Sequence, residues 1–195
     1  WGIKMERSAY KNIPPLEKTP EELRHAREVW ETWRFHDFQP PETFDNGITL
    51  GASLDRFIAS SQDYQGGLIQ YATECYRRAK YSKVTGIIQF DFSDPWPAVT
   101  WSVVDYWRTP KPAYDALRRS MQPVLPSFRL PETLEAGKAA LTSFCVVNDL
   151  MEAFPSAACE WRLEGGIGDL ASAAFPMAIP ADGVSAEIKL TLPSL

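Results

Sequence analysis

The sequence predicts two structural classes in series: an α/β segment over residues 1–126 and an all-β segment over 127–195. Three observations predict this. Two stretches before residue 82 space apolar residues three and four apart, as amphipathic helices do. The run Gly86–Phe92 is apolar and strand-like, bounded by Thr85-Gly86 and Asp94-Pro95. Beyond Pro126, short Val, Ala, Leu and Thr alternations are separated by turn residues, the rhythm of an antiparallel sandwich.

The first helix is "TPEELRHAREVWETWRFHDF". Thr19 caps it, Pro20 suits its first turn, and Glu21 and Glu22 favour its positive end. Leu23, Ala26, Val29, Trp30 and Trp33 then fall at helical spacing. The stretch "QPPETFDNGITLG" is loop, broken by Pro40-Pro41 and Asn46-Gly47. A long helix runs from Ser53 to Tyr81, with Leu54, Phe57, Ile58, Leu68, Ala72, Cys75, Tyr76 and Ala79 as its inner face. Ser61, Gln62 and Gln65 interrupt that face, and Gly66-Gly67 either weakens the middle of the helix or lets another backbone come close.

The strand Gly86–Phe92 follows, then a short helix over Pro112–Ser120. In the last segment the strand-like runs are "KAALTSFCVVND", "SAACEWRLEGG", "SAAFPMAIPADG" and "SAEIKLTLP". They supply four or five strands, whereas an immunoglobulin-like sandwich has about seven over ~100 residues, so the sandwich is expected to be partial.

Composition narrows the function classes. The chain has 195 residues, 45% apolar and 23% charged, as folded proteins do. Its net charge of −5 opposes binding to nucleic acid or an anionic membrane, since both need clustered Lys and Arg. The basic pairs Arg77-Arg78 and Arg118-Arg119 are scattered and suit exposed helix faces. No apolar run reaches the ~18 residues of a membrane-spanning helix. Cys75, Cys145 and Cys159 form no Cys-x-x-Cys and have no His at metal-ligand spacing, so no structural zinc is expected. A Cys145–Cys159 bridge is one reading, and buried free thiols are the preferred one. The opening "WGIKMERS" reads as the interior of a longer protein.

The stretch Gly86–Leu117 packs seven aromatic residues, four prolines and four aspartates into 32 positions. By the period of two, Gln89, Asp91 and Ser93 share one face, with Ile88, Phe90 and Phe92 on the other. Such a polar row at a strand end needs partners, and the ligand-lined mouth of an α/β barrel supplies them. Trp96, held between Pro95 and Pro97, suits a stacking platform for the apolar face of a sugar. The plainer alternatives are that Asp91 and Asp94 satisfy neighbouring backbone or Arg groups, and that Trp96 packs in the core.

The block carried by Gly86, Asp94, Trp96, Pro97, Trp101, Ser102, Asp105, Tyr106, Lys111 and Tyr114 resembles the last barrel strand and helix of glycoside hydrolase family two, in its β-mannosidase and exo-glucosaminidase branch. Ser61, Gln62 and Gln65 resemble an element of the preceding helix in that family, and "EAGKAALTSFCVVND" resembles the opening of its following sandwich. The resemblance implies the C-terminal portion of a (β/α)8 TIM barrel, then a partial immunoglobulin-like sandwich. It also implies a retaining β-glycosidase with a carbohydrate substrate and no metal or other cofactor, whose remaining barrel is the chain's partner.

The resemblance places Phe90, Asp91, Asp94, Trp96 and His36 at the sugar pocket. Phe90, Asp91 and Ser93 depart from the family's usual Trp, Gln and Asn, so the sugar preference does not transfer. A retaining mechanism needs two carboxylates ~5 Å apart, one nucleophile and one acid/base. Neither family motif for them is present, Glu6 lacks the context, and both glutamates are expected outside the chain. Two other readings stand beside this one: a carbohydrate-binding or adhesion module using exposed aromatics of residues 127–195, and a purely structural sandwich.

Overall fold

The computed structural model describes residues 31–38, 48, 53–131, 133–165 and 168–194. The expectations for Glu6, for the first helix before residue 31 and for the turns at Pro40-Pro41 and Asn46-Gly47 lie outside those residues. The chain divides into two compact units, one drawing on residues up to Ala72 and on Ile88–Arg119, the other on Thr73–Ile87 and Ser120–Leu195. Among the described residues no helix is long and apolar enough to cross a membrane.

Helix α1 spans Leu54–Arg78. The Ser53 hydroxyl accepts the Arg56 amide at 3.3 Å, Asp55 sits in the first turn, and Arg77 and Arg78 lie in the last, matching the helix dipole. Its buried stripe differs from the apolar one expected. Phe57, Ser61, Gln65, Thr73 and Arg77 are buried, with Ile69 half-buried between them, whereas Leu68 and Tyr76 are exposed. That stripe repeats every four residues and is mostly polar. It is stable because its members are bonded: Ser61 donates to the Ile58 carbonyl at 2.9 Å, and Gln65 and Arg77 reach backbone carbonyls far along the chain.

In the first unit, residues 31–35 are helical, and Trp33, Phe38 and Phe57 form a buried aromatic cluster. Trp33 meets Phe38 edge-on at 4.9 Å and lies near-parallel to Phe57 at 6.1 Å. Helix α2, Pro112–Ser120, forms over the span the sequence predicts. Val103, Val104 and Ala113 make a second small core with Ile69, Tyr114 and Leu117.

Gly86–Phe92 does not form the strand that its composition predicts. Residues 86–89 run without a ladder partner, and only single bridges join Ser93 to Val104 and Val104 to Pro110. The alternation itself survives with the burial reversed: Ile88 is 94% and Phe90 73% exposed, while Gln89, Asp91 and Ser93 are half-buried. A strand needs neighbours to accept its backbone groups and cover its side chains. Among the described residues none forms a strand ladder with this run.

Among the described residues the second unit holds six strands: β1 Val124–Arg129, β2 Ala140–Asn148, β3 Phe154–Gly165, β4 Gly168–Ile179, β5 Gly183–Val184 and β6 Ile188–Leu192. β2 is central, antiparallel to β1 on one side and to β5 and β6 in succession on the other. β5 precedes the run "SAEIKLTLP", which holds β6 alone and opens at Ser185, whose amide donates to the Val146 carbonyl and whose hydroxyl accepts the Val146 amide, both at 2.9 Å. β3 and β4 form a separate antiparallel pair.

Phe144, Val146, Met177 and Ile179 fill the core shared by the two sheets, with Phe128, Phe154, Phe175 and Ile188 against it. The opposite face of β2 is buried as well, at Cys145 and Val147. Ser127, the cross-strand partner of Cys145, lies on that face, and the end of α1 reaches it: Arg78 donates to the Ser127 hydroxyl at 2.6 Å, which donates to Glu74 at 2.7 Å. Burial on both faces explains why "FCVV" is an unbroken apolar run. All three cysteines are free thiols, and desolvation pushes the Cys145 thiol above its usual range.

Candidate functional site

The segment Ser93–Lys111 folds back on itself through backbone bonds. The Asp94 amide donates to Val104 at 3.1 Å, the Val103 and Val104 amides to Phe92 at 3.2 and 3.0 Å, and the Lys111 amide to Val103 at 2.9 Å. This closes the "DPWPAVT" loop, with Trp96 at its tip and Ala98 and Val99 buried beneath. Pro95 and Pro97 fix φ on either side of the indole.

His36 and Trp96, sixty positions apart, meet here. Their rings stack at 5.1 Å and 19°, while the exposed Phe35 ring approaches the indole edge-on at 5.4 Å. Two hydrogen bonds lock the pairing: the Val99 amide donates to the His36 carbonyl at 2.8 Å, and His36 Nδ1 lies 2.6 Å from the Pro97 carbonyl. A carbonyl oxygen only accepts, so Nδ1 carries the proton and donates, which leaves Nε2 as the second polar atom of the ring. The result is a three-ring aromatic surface with one polar nitrogen.

Asp94 lies below this surface rather than in it. Its carboxylate accepts the Thr100 hydroxyl at one oxygen and pairs with Lys111 Nζ at 3.4 Å at the other. The Lys111 and Asp94 side chains are only 1% and 2% exposed, and Lys111 also donates to Ser102 Oγ at 2.8 Å. Gln65 of α1 holds the far side of the loop, donating to the Trp101 and Ser102 carbonyls at 2.9 and 3.0 Å. A buried ion pair of this kind is tolerated only when hydrogen bonds satisfy its remaining positions.

Phe90 and Asp91, joined by a cis peptide bond, stand apart from that cluster. Phe90 is exposed and Asp91 half-buried, and among the described residues neither bonds to or ring-contacts His36 or Trp96. The structure therefore brings together His36 and Trp96, sets Asp94 beneath them, and leaves Phe90 and Asp91 on the preceding segment. Sequence reasoning missed Phe35, whose only signal is its position beside His36. It also left out the Lys111–Ser102–Thr100 support, which a lone lysine in "RTPKPAY" signals weakly.

The comparisons with known proteins fit this picture. No family model matches the chain. Beta-mannosidase B of Aspergillus niger is 31% identical over 79 residues, and that of Emericella nidulans 38% identical over 79. Each match covers 40% of this chain and 9% of the relative. Among solved structures, the Dictyoglomus thermophilum beta-D-mannosidase superposes with a TM-score of 0.58 at 20% identity, over 98% of this chain and 21% of that one. The Amycolatopsis orientalis exo-chitosanase superposes with a TM-score of 0.55 at 18% identity, over 91% of this chain and 22% of that one.

The chain is thus related to glycoside hydrolases, and shares the fold of the corresponding part of two such enzymes. The relationship is to glycoside hydrolase family two. The chain spans about a tenth of the length of the curated relatives it matches.

Proposed function

We propose that the chain is part of a retaining β-glycosidase that releases terminal β-linked sugars. In this reading residues 1–126 are the C-terminal portion of its (β/α)8 barrel, and 127–195 open an immunoglobulin-like sandwich. His36, Trp96, Phe90, Asp91 and Asp94 shape the sugar pocket, with Asp94 acting from beneath the loop. The carrying observation is the locked Trp96–His36 stack in a chain related to glycosidases. An aromatic plane beside a ring nitrogen suits a sugar, which presents a C–H face and a hydroxyl rim. The nucleophile and the acid/base are glutamates supplied from outside the chain, so the rest of the enzyme is its partner.

The binding-module alternative requires exposed aromatics in residues 127–195. Phe128, Phe144, Phe154, Trp161 and Phe175 are all buried or half-buried, which favours the glycosidase reading.

The test is calorimetric titration of the chain with methyl β-mannoside and methyl β-glucosaminide, alongside an aryl β-glycoside assay. Binding of at least one sugar, weakened about tenfold in Trp96→Ala, is expected, a loss of ~1.4 kcal/mol. Equal affinity in Trp96→Ala would remove Trp96 from the pocket. Hydrolysis by the chain alone would overturn the placement of the glutamates outside it.

A further inference from the structure

We propose that Lys111 is a positioning residue for the Trp96–His36 surface. One ammonium group ties both ends of the loop that carries Trp96. At the entry it pairs with Asp94 Oδ2 at 3.4 Å, and at the exit it donates to Ser102 Oγ at 2.8 Å. The two ends are also joined to each other, because Thr100 donates to Asp94 Oδ1 and its hydroxyl accepts the Ser102 amide at 3.2 Å. Lys111 is itself fixed at its backbone by Val103 and leads directly into α2. A loop closed in this way by buried charge and hydroxyl groups has one arrangement, since every alternative strands a buried polar group.

That arrangement decides where the Pro97 carbonyl points. His36 donates to this carbonyl, and the bond sets both the imidazole tautomer and its stacking on Trp96. Lys111 thus acts on the surface through Asp94 and Ser102 without touching it. Its importance for a sugar rests on the function proposed above, whereas the loop geometry does not.

The test uses the full chain labelled with 15N-histidine, which has only His25 and His36 to assign. The wild-type protein is expected to show a slowly exchanging Nδ1–H from His36. Ser102→Ala removes one hydroxyl and keeps the ion pair, so it retains the fold, and exchange of that proton should quicken about tenfold. Lys111→Met should lose the protected signal altogether. Because that variant leaves Asp94 buried without its cation, the neutral pair Asp94→Asn with Lys111→Met serves as the folded control and should lose the signal too.

An unchanged His36 signal in Ser102→Ala or in the neutral pair would show that the network merely stabilises the unit, and would overturn the proposal. The two readings fail separately. A wild-type chain that binds no sugar but shows this His36 behaviour sinks the function and leaves the positioning role intact.

Discussion

Arg77→Met tests whether the polar stripe of α1 is structural in the way its bonds imply. Arg77 is 6% exposed, and its Nη1 donates to the Ser120 and Gln122 carbonyls at 2.6 and 2.7 Å. Its Nη2 reaches Asp149 at 2.8 Å, but that carboxylate is 45% exposed. The first two bonds are charge-assisted and at least partly buried, each contributing about 1.5–3 kcal/mol. The third is screened by water and adds less than about 1 kcal/mol. Methionine keeps the apolar stem and opens little cavity, so the loss is mainly that of the two carbonyl bonds, about 3–6 kcal/mol.

The assay is urea unfolding followed by circular dichroism and by the Trp161 indole resonance, since Trp161 is the single tryptophan of the second unit. Asp149→Asn is the control and should lose less than about 1 kcal/mol. A loss below about 1 kcal/mol in Arg77→Met, with the control unchanged, would refute the reasoning. It would mean that water replaces the guanidinium at both carbonyls.

Three further outcomes are expected. Asn148 is fully buried, donating to the Glu152 and Pro180 carbonyls at 2.8 Å and accepting the Leu150 amide at 2.9 Å, so Asn148→Ala should cost about 2–4 kcal/mol in the same urea series. Asn148→Asp, which cannot donate, should be at least as harmful, and a milder effect would contradict the bond assignment. Cys145, whose thiol is pushed up by burial, should react with iodoacetamide at pH 8 more slowly than Cys75 or Cys159, which peptide mapping of the alkylated chain measures.

The third outcome concerns pH. Bonds from Lys80 and Tyr81 hold the Asp182 carboxyl below its usual range, so its stabilisation is present above the unfolded value of 3.8 and is lost as pH falls through the lowered one. For Lys80, desolvation lowers the value, but bonds to Asp149 and Asp182 outweigh it and raise the amine. The Tyr81 phenol is raised by its bond to Asp182. Their stabilisation is present below the unfolded values of 10.5 and 10.0 and is lost as pH rises through the raised ones. Thermal melting of Asp182→Asn should therefore show a reduced dependence at both ends of the pH range, and an unaltered profile would dismiss the cluster.

What was legible in the sequence was local. Helix α1, Leu54–Arg78, falls within the expected Ser53–Tyr81 and stops short of Tyr81, and α2 matches its expected span. Strand β2 falls inside the strand-like run "KAALTSFCVVND". The misses share one cause, which is dependence on distant partners. Ser61 and Gln65 read as interruptions of an apolar face because the carbonyls that satisfy Gln65 belong to Trp101 and Ser102. Gly86–Phe92 has strand composition, but composition cannot supply the neighbouring strands. The family resemblance raised the expectation that His36 and Trp96 share one site, whereas their stacking depends on how the "DPWPAVT" loop closes.

The central claim is that the chain is part of a larger retaining β-glycosidase. Intact mass and amino-terminal sequencing of the native product test it most directly. The account predicts a product several times longer, in which a Ser-Glu-Phe-Gly element or a close variant precedes Trp1 by a few residues and supplies the nucleophile. A native product that begins at Trp1 would contradict it, because the carboxylate pair that the reaction requires would then have no source.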